Sequence, residues 1–332
     1  MMRFRFVALT LIAASCLAVG AQAQSLQTLE IPDEVIAELN GEPMDFELSS
    51  PRTAIIEVSL TSDDFDPYLE LLDAEGNTLG ENDDGSDTGT GSLLSFLAEA
   101  DTVYTIRTSS YSGGASGDFT LVVSDKEVSE ISIDEPATTD LKNASEYFTF
   151  EGKAGDDVDF IVGADSFDTV LDVIDAYGNT LMSSDDGDEF NPFISDFLVP
   201  ADGIYILRLS VSIYSVAPPT DPIQLSVRPT TIQDIAFDEV LRSEQEKSYL
   251  RFEAQAGATY LIEVQATVPS RFNVEVRPRM SESSEVSSNA YGTTSLAFTF
   301  TPATDGSYKL TISGISSNLE YLPYTTTITE VK

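Results

Sequence analysis

The chain has 332 residues with a formal net charge of −39, from 56 acidic against 17 basic side chains. It holds one cysteine, no histidine and no tryptophan. These counts exclude Ser-His-Asp and Cys-His catalysis, histidine-ligated zinc or iron sites and any intrachain disulfide. A field of this sign repels nucleic acid and anionic lipid and favours divalent cations or basic partners.

In chain order, the first element is an export signal, residues 1–23. Arg3 and Arg5 precede an apolar run from Phe6 to Val19, and Ala21-Gln22-Ala23 supplies the small-x-small pattern of a signal peptidase site. The run is too short for a membrane anchor, and no later segment is long and apolar enough to span a bilayer. Ala13-Ala14-Ser15-Cys16 loosely resembles a lipoprotein box, but apolar residues continue past Cys16. The expected location is therefore outside the cytoplasm, periplasmic or secreted, with lipidation the lesser alternative.

Strand-like alternation follows at Asp45–Leu48 and Ala54–Leu60. Then comes Asp66-Pro67-Tyr68-Leu69-Glu70-Leu71-Leu72-Asp73-Ala74-Glu75-Gly76-Asn77-Thr78-Leu79, closed by Asn82-Asp83-Asp84-Gly85. It reads as a strand, a turn in which Gly76 supplies the positive φ, and a second strand ending in paired aspartates. Strands are predicted at Leu94–Phe96, Val103–Arg107 and Phe119–Val123. Only Asp33–Leu39 carries a spacing compatible with a helix.

The stretch recurs 102 residues later, from Asp168 through Asp175, Gly178 and Asn179 to Ser184-Asp185-Asp186-Gly187. Strands are predicted around it at Tyr147–Phe150, Val158–Val162, Phe193–Leu198, Ile204–Leu209 and Ile223–Val227. A third copy keeps landmarks, Phe252-Glu253-Ala254-Gln255-Ala256-Gly257 and Asp305-Gly306-Ser307-Tyr308, but its aspartate pair is replaced by the serine-rich run Ser281–Ser288. The expected organisation is all-β: three tandem jelly-roll-like β-sandwich domains at 26–126, 127–229 and 230–332. Acidic residues outnumber basic ones 22 to 3, 21 to 4 and 13 to 8 across them, counting the first from residue 25.

The spacing D-x-x-L-x-L-x-D-x-x-G-x-x-L, then N-D-D and later G-x-Y, resembles the bacterial pre-peptidase C-terminal domain. The first copy matches at Asp66, Leu69, Leu71, Asp73, Gly76, Leu79, Asn82, Asp83 and Asp84, and the second has Ser184 in place of the asparagine. That family is a jelly-roll-like sandwich found beside secreted hydrolases, distantly like the collagen-binding modules of clostridial collagenases, some of which bind calcium. The resemblance implies an exported, non-catalytic module that assists a secreted hydrolase or recognises an extracellular polysaccharide or protein. Its departure is that no peptidase is attached.

Calcium takes six to eight oxygens, largely from carboxylates and carbonyls. Asp66, Asp83 and Asp84 would converge if the two strands pair across the Asp73–Asn77 turn, as would Asp168, Asp185 and Asp186, with Asp87 or Asp188 nearby. The alternative is that these side chains cap turns with no metal present. Adjacent aspartates on a wet loop have neither the separation nor the burial of a glycosidase pair, so no enzyme is expected. Tyr111, Tyr214, Tyr291, Tyr321 and Tyr324 lie in or beside polar loops, where such rings either stack on a flat ligand or, more commonly, pack over the ends of the sandwich. Two functions stay open: a calcium-stabilised binding module, and an envelope spacer whose repeats assemble with one another.

Overall fold

A computed structural model describes residues 26–85, 91–163, 167–185, 191–212, 222–245, 247–279, 284–316 and 323–331. The signal sequence, Asp186, Asp87, Asp188, Tyr214 and Tyr321 lie outside the described residues. The chain is all-β, and no helix among the described residues is long and apolar enough to cross a membrane.

The first unit contains β1 (Gln27–Leu29), β2 (Asp33–Asn40), β3 (Met44–Ser49), β4 (Ala54–Thr61), β5 (Pro67–Leu72), β6 (Thr78–Asn82), β7 (Ser92–Ala98), β8 (Val103–Ser110) and β9 (Ser116–Lys126). One sheet runs β1-β3-β8-β5-β6 and the other β2-β9-β4-β7. Every second residue points inward, as the two-residue period of a strand requires. Phe46, Leu48, Leu69, Leu71 and Ile106 from one sheet meet Ile56, Val58, Leu94, Phe96 and Leu121 from the other in one core.

The second unit repeats the plan with β10 (Val128–Ile131), β11 (Ala137–Thr139), β12 (Ser145–Gly152), β13 (Asp157–Gly163), β14 (Thr169–Ile174), β15 (Thr180–Ser184), β16 (Phe193–Leu198), β17 (Gly203–Val211) and β18 (Ile223–Pro229). Its sheets run β10-β12-β17-β14-β15 and β11-β18-β13-β16 around a separate core. Phe150, Phe160, Phe197 and Tyr205 form a chain of ring contacts with centroids 5.7–5.9 Å apart.

The third unit contains β19 (Ile232–Asp234), β20 (Val240–Ser243), β21 (Lys247–Ala254), β22 (Thr259–Pro278), β23 (Val286–Phe300), β24 (Gly306–Ser316) and β25 (Tyr324–Val331). Here two strands of the earlier plan fuse. The front of β22, Thr259–Ala266, pairs with β25, while Ser270–Pro278 pairs with β24. β23 follows β22 along both halves, so the two form one long ribbon serving both layers. The register shifts near Pro269, where a residue with no N–H interrupts the ladder least.

One expectation needs correction. Asp33–Leu39 is strand, not helix, paired with β9 from Asp33↔Val123 to Asn40↔Ser116. Val35, Ala37 and Leu39 at every second position fit a strand face, and the edge of β9 was available to pair. Tyr324 takes the packing role open to these tyrosines: it is buried and donates its hydroxyl to Ser248 Oγ at 2.7 Å.

The connections between units are short. β9 ends at Lys126 and β10 begins at Val128; β18 ends at Pro229 and β19 begins at Ile232. Thr230, in the second connection, is buried and donates its hydroxyl to Asp159 Oδ1 at 2.7 Å.

Candidate functional site

The β5–β6 hairpin has two chemically distinct ends. At the turn, Asp73 Oδ1 accepts the Glu75 and Asn77 N–H groups at 2.9 and 2.8 Å, and Oδ2 accepts Asn77 Nδ2 at 2.8 Å. The Asn77 side chain first, and then the backbone donors, hold the Asp73 carboxyl below the usual carboxylate range. Gly76 closes the turn at φ +83°. Asp175 repeats the cage, accepting Tyr177 N, Asn179 N and Asn179 Nδ2 at 2.8–2.9 Å. These two aspartates are turn anchors.

At the open end lie the paired carboxylates. The register Leu69↔Asn82 puts Asp66, just before β5, at the same end as Asp83 and Asp84, just after β6. Leu171↔Ser184 does the same for Asp168 and Asp185. The loop is tied by its own backbone: Asn82 Oδ1 accepts Leu93 N at 2.8 Å, and the Asp83 carbonyl accepts Ser92 Oγ at 3.2 Å. Asp83 Oδ1 accepts Asp84 N at 3.1 Å. The Asp66 carbonyl accepts Tyr111 N at 2.9 Å, and the Asp168 carbonyl accepts Ser212 N at 3.1 Å. Thus Asp66 with Asp83 and Asp84, and Asp168 with Asp185, share one hairpin end. Among the described residues no three acidic side chains converge as a metal ion requires. In the third unit the equivalent stretch is the β22–β23 ribbon, with Arg271 opening the segment where Asp168 would stand.

The aromatic candidates divide. Tyr111 is 60% exposed with its ring 6.1 Å from Tyr68, edge to face. Tyr291 is exposed beneath the Arg271 guanidinium, 5.0 Å from the ring centre.

The most concentrated side-chain chemistry lies elsewhere, where the units meet. Between units one and two, Ile55, Tyr147, Ile174 and Ile206 form a small buried cluster with Leu97 against it. The Asp175–Asn179 turn is pressed onto the first unit: Leu97 N donates to the Ala176 carbonyl at 2.9 Å, and Asn179 Nδ2 to the Leu79 carbonyl at 3.0 Å. Arg208 and Asp172 form a buried pair at 2.8 Å on the same sheet face as Tyr147.

Between units two and three, Lys309 is 1% exposed and its Nζ meets both Asp157 Oδ1, at 2.6 Å, and Asp196. Arg277 reaches Asp196 Oδ2 at 3.0 Å, and Arg279 reaches the Gly155 carbonyl at 3.0 Å. Burial pushes the Asp196 carboxyl above the usual range, while Lys309 and Arg277 pull the other way. Sequence reasoning passed over these residues. For the first junction alone a signal was present, in Val170–Ile174 and Ile204–Leu209, whose near-continuous apolar runs mark strands covered on both faces.

No family model matches the chain, and no curated protein matches it. Solved structures to which it is similar include the triple jelly-roll protein of an archaeal virus turret assembly, at 11% identity and a TM-score of 0.19, covering 91% of this chain and 82% of that one. Sulfolobus Turreted Icosahedral Virus gives 11% and 0.19, covering 92% and 84%. The M60 catalytic domain with the CBM51-1 and CBM51-2 domains of Clostridium perfringens ZmpB gives 10% and 0.20 over 87% of this chain, which spans 33% of that one. At such scores none of these likenesses bears on what this chain does.

Proposed function

We propose that the chain is an exported, non-catalytic binding or accessory protein of the pre-peptidase C-terminal type. On this reading the carboxylate loops of the first two units take calcium, and the protein recognises an extracellular polysaccharide or protein or assists a secreted hydrolase. One observation carries the reading: the third unit builds its core without the carboxylate loop, running β22 and β23 straight through where the loop would be. A sandwich of this plan therefore does not need the loop, and its retention twice with paired aspartates points to a use beyond packing. Crowded carboxylates repel one another, and a divalent cation reverses the sign of that interaction.

The test is to melt the full chain in calcium and in excess chelator at matched ionic strength, because plain salt also screens an acidic surface. Binding to the folded state alone stabilises by about 2.7 kcal/mol at a hundredfold excess over Kd. A chain carrying Asp83→Asn, Asp84→Asn, Asp185→Asn and Asp186→Asn should lose the calcium response and stay folded. Equal melting of the parent chain in calcium and chelator would leave turn capping as the role of these residues.

A second reading, an envelope spacer, is favoured by the packing between units, since Lys309, Tyr147 and Arg208 are buried at the junctions. Pull-down on insoluble polysaccharide and collagen-like matrices separates the two: capture supports the binding module, and self-association without ligand supports the spacer.

A further inference from the structure

The two junctions share one motif, and each end of the array lacks half of it. Tyr147 and Tyr249 stand 102 residues apart, on β12 and β21, at corresponding outward positions of the sheet that meets the preceding unit. The Tyr147 hydroxyl donates to the Glu57 carboxylate and lies 3.1 Å from Ser95 Oγ. The Tyr249 hydroxyl donates to Ser195 Oγ at 2.9 Å. Asp159, 102 residues after Glu57, is buried, and its Oδ1 accepts the N–H of Asp196, the residue next to Ser195, at 3.0 Å. Each junction thus seats a tyrosine from one unit in an acid-and-serine socket of the unit before it. Burial and the neighbouring Glu57 push the Tyr147 phenol well up, so it stays a proton donor.

The outermost faces break the motif. Position 45, 102 before Tyr147, holds an aspartate that Arg107 grips through Nε at 2.8 Å and Nη2 at 3.0 Å. Position 261, 102 after Asp159, holds a leucine, opposite Thr299 on β23. An aspartate offers no donor to an acidic socket and is repelled by it; a leucine accepts nothing from a phenol. Repeat arrays end in units whose outer faces are altered in this way.

We propose that the tyrosine and its acid–serine socket are the device that stacks these units, and that Asp45 and Leu261 close the array, so that neither end face joins a second copy of the chain. This goes beyond the binding reading and separates it from the self-assembling spacer.

Two measurements on the full chain test it. The Leu97 amide donates across the junction to Ala176, so its hydrogen exchange reports whether the junction is closed. Tyr147→Phe removes only the hydroxyl and should speed Leu97 exchange about tenfold or more, leaving Val58, inside β4, unchanged. Glu57→Leu, which copies the third unit's own residue, should do the same should Tyr147→Phe disturb folding. Leu97 exchange unchanged in both variants would overturn the stacking device. Sedimentation of the parent chain over an about hundredfold concentration range should show the mass of one chain throughout. Growth in mass with concentration that Asp45→Lys removes would overturn the closure.

Discussion

Asp73 shows what one carboxylate contributes when its donors are all local. Three N–H groups converge on it, and its carboxyl is held low in the folded chain. A depressed folded value means stabilisation that is present above the ordinary carboxylate value of about 4 and lost as the pH falls through the folded value. Asp73→Asn should therefore melt below the parent chain near neutral pH, and the two should converge in strong acid. A gap of the same size at both pH values would assign the effect to packing instead of charge. Among the described residues the Asp83–Asp84 carboxylates receive one donor, Asp84 N on Asp83 Oδ1, in place of this cage, and the two kinds of aspartate in one hairpin differ accordingly.

At the scale of the element, the buried cation of β24 carries the sharpest expectation. Lys309 sits between Asp157 and Asp196, so Lys309→Met leaves two carboxylates short of a partner in a region with little water. Breaking a buried pair from one side costs about 3–5 kcal/mol. The low end is expected here, because Arg279 and Arg277 still reach the same carboxylates. Urea unfolding of the full chain measures it, and a loss below about 0.5 kcal/mol, the range of an ordinary surface change, would mean that the site admits water. A conventional core change gives the reference: Phe160→Ala, at the centre of the second unit, should lose about 3–5 kcal/mol. Individual strands were legible in the sequence because alternation is a local property; Phe193–Leu198 has the same bounds in the structure. The fusion of two strands into β22 was not. A proline within a run, as at Pro269, is a local reason for a strand to stop, and only the partners on both sides, β25 and β24, keep the ladder running through it.

For the whole molecule, the all-β class and the repeat of 102 residues were visible from the chain alone, whereas the way the units sit together was not. Tyr147 and Glu57 are 90 residues apart, and an outward tyrosine on a strand looks the same whether water or another unit covers it. The carboxylate hairpins were found, but the packing of the second turn against the first unit was not, since Asp175–Asn179 differs from Asp73–Asn77 only by Tyr177 in place of Glu75. Gly80 makes that packing testable. A Cβ built there would lie 2.2 Å from the Tyr177 carbonyl oxygen of the second unit. Gly80→Ala should therefore open the first junction while leaving the first unit's core intact. Small-angle scattering should show a larger radius of gyration than the parent chain; an unchanged radius would mean that the turn shifts aside without parting the units.

The single residue, Glu127, between β9 and β10 has a consequence for how strong the junctions must be. A short tether holds two partner surfaces at an effective concentration in the millimolar range. A contact that would be almost unpopulated between separate molecules at micromolar concentration is then nearly always made. The first junction can accordingly rest on a few apolar side chains, one phenol and a docked turn. Cutting the chain at Glu127 would leave these contacts in place yet make the pairing depend on concentration.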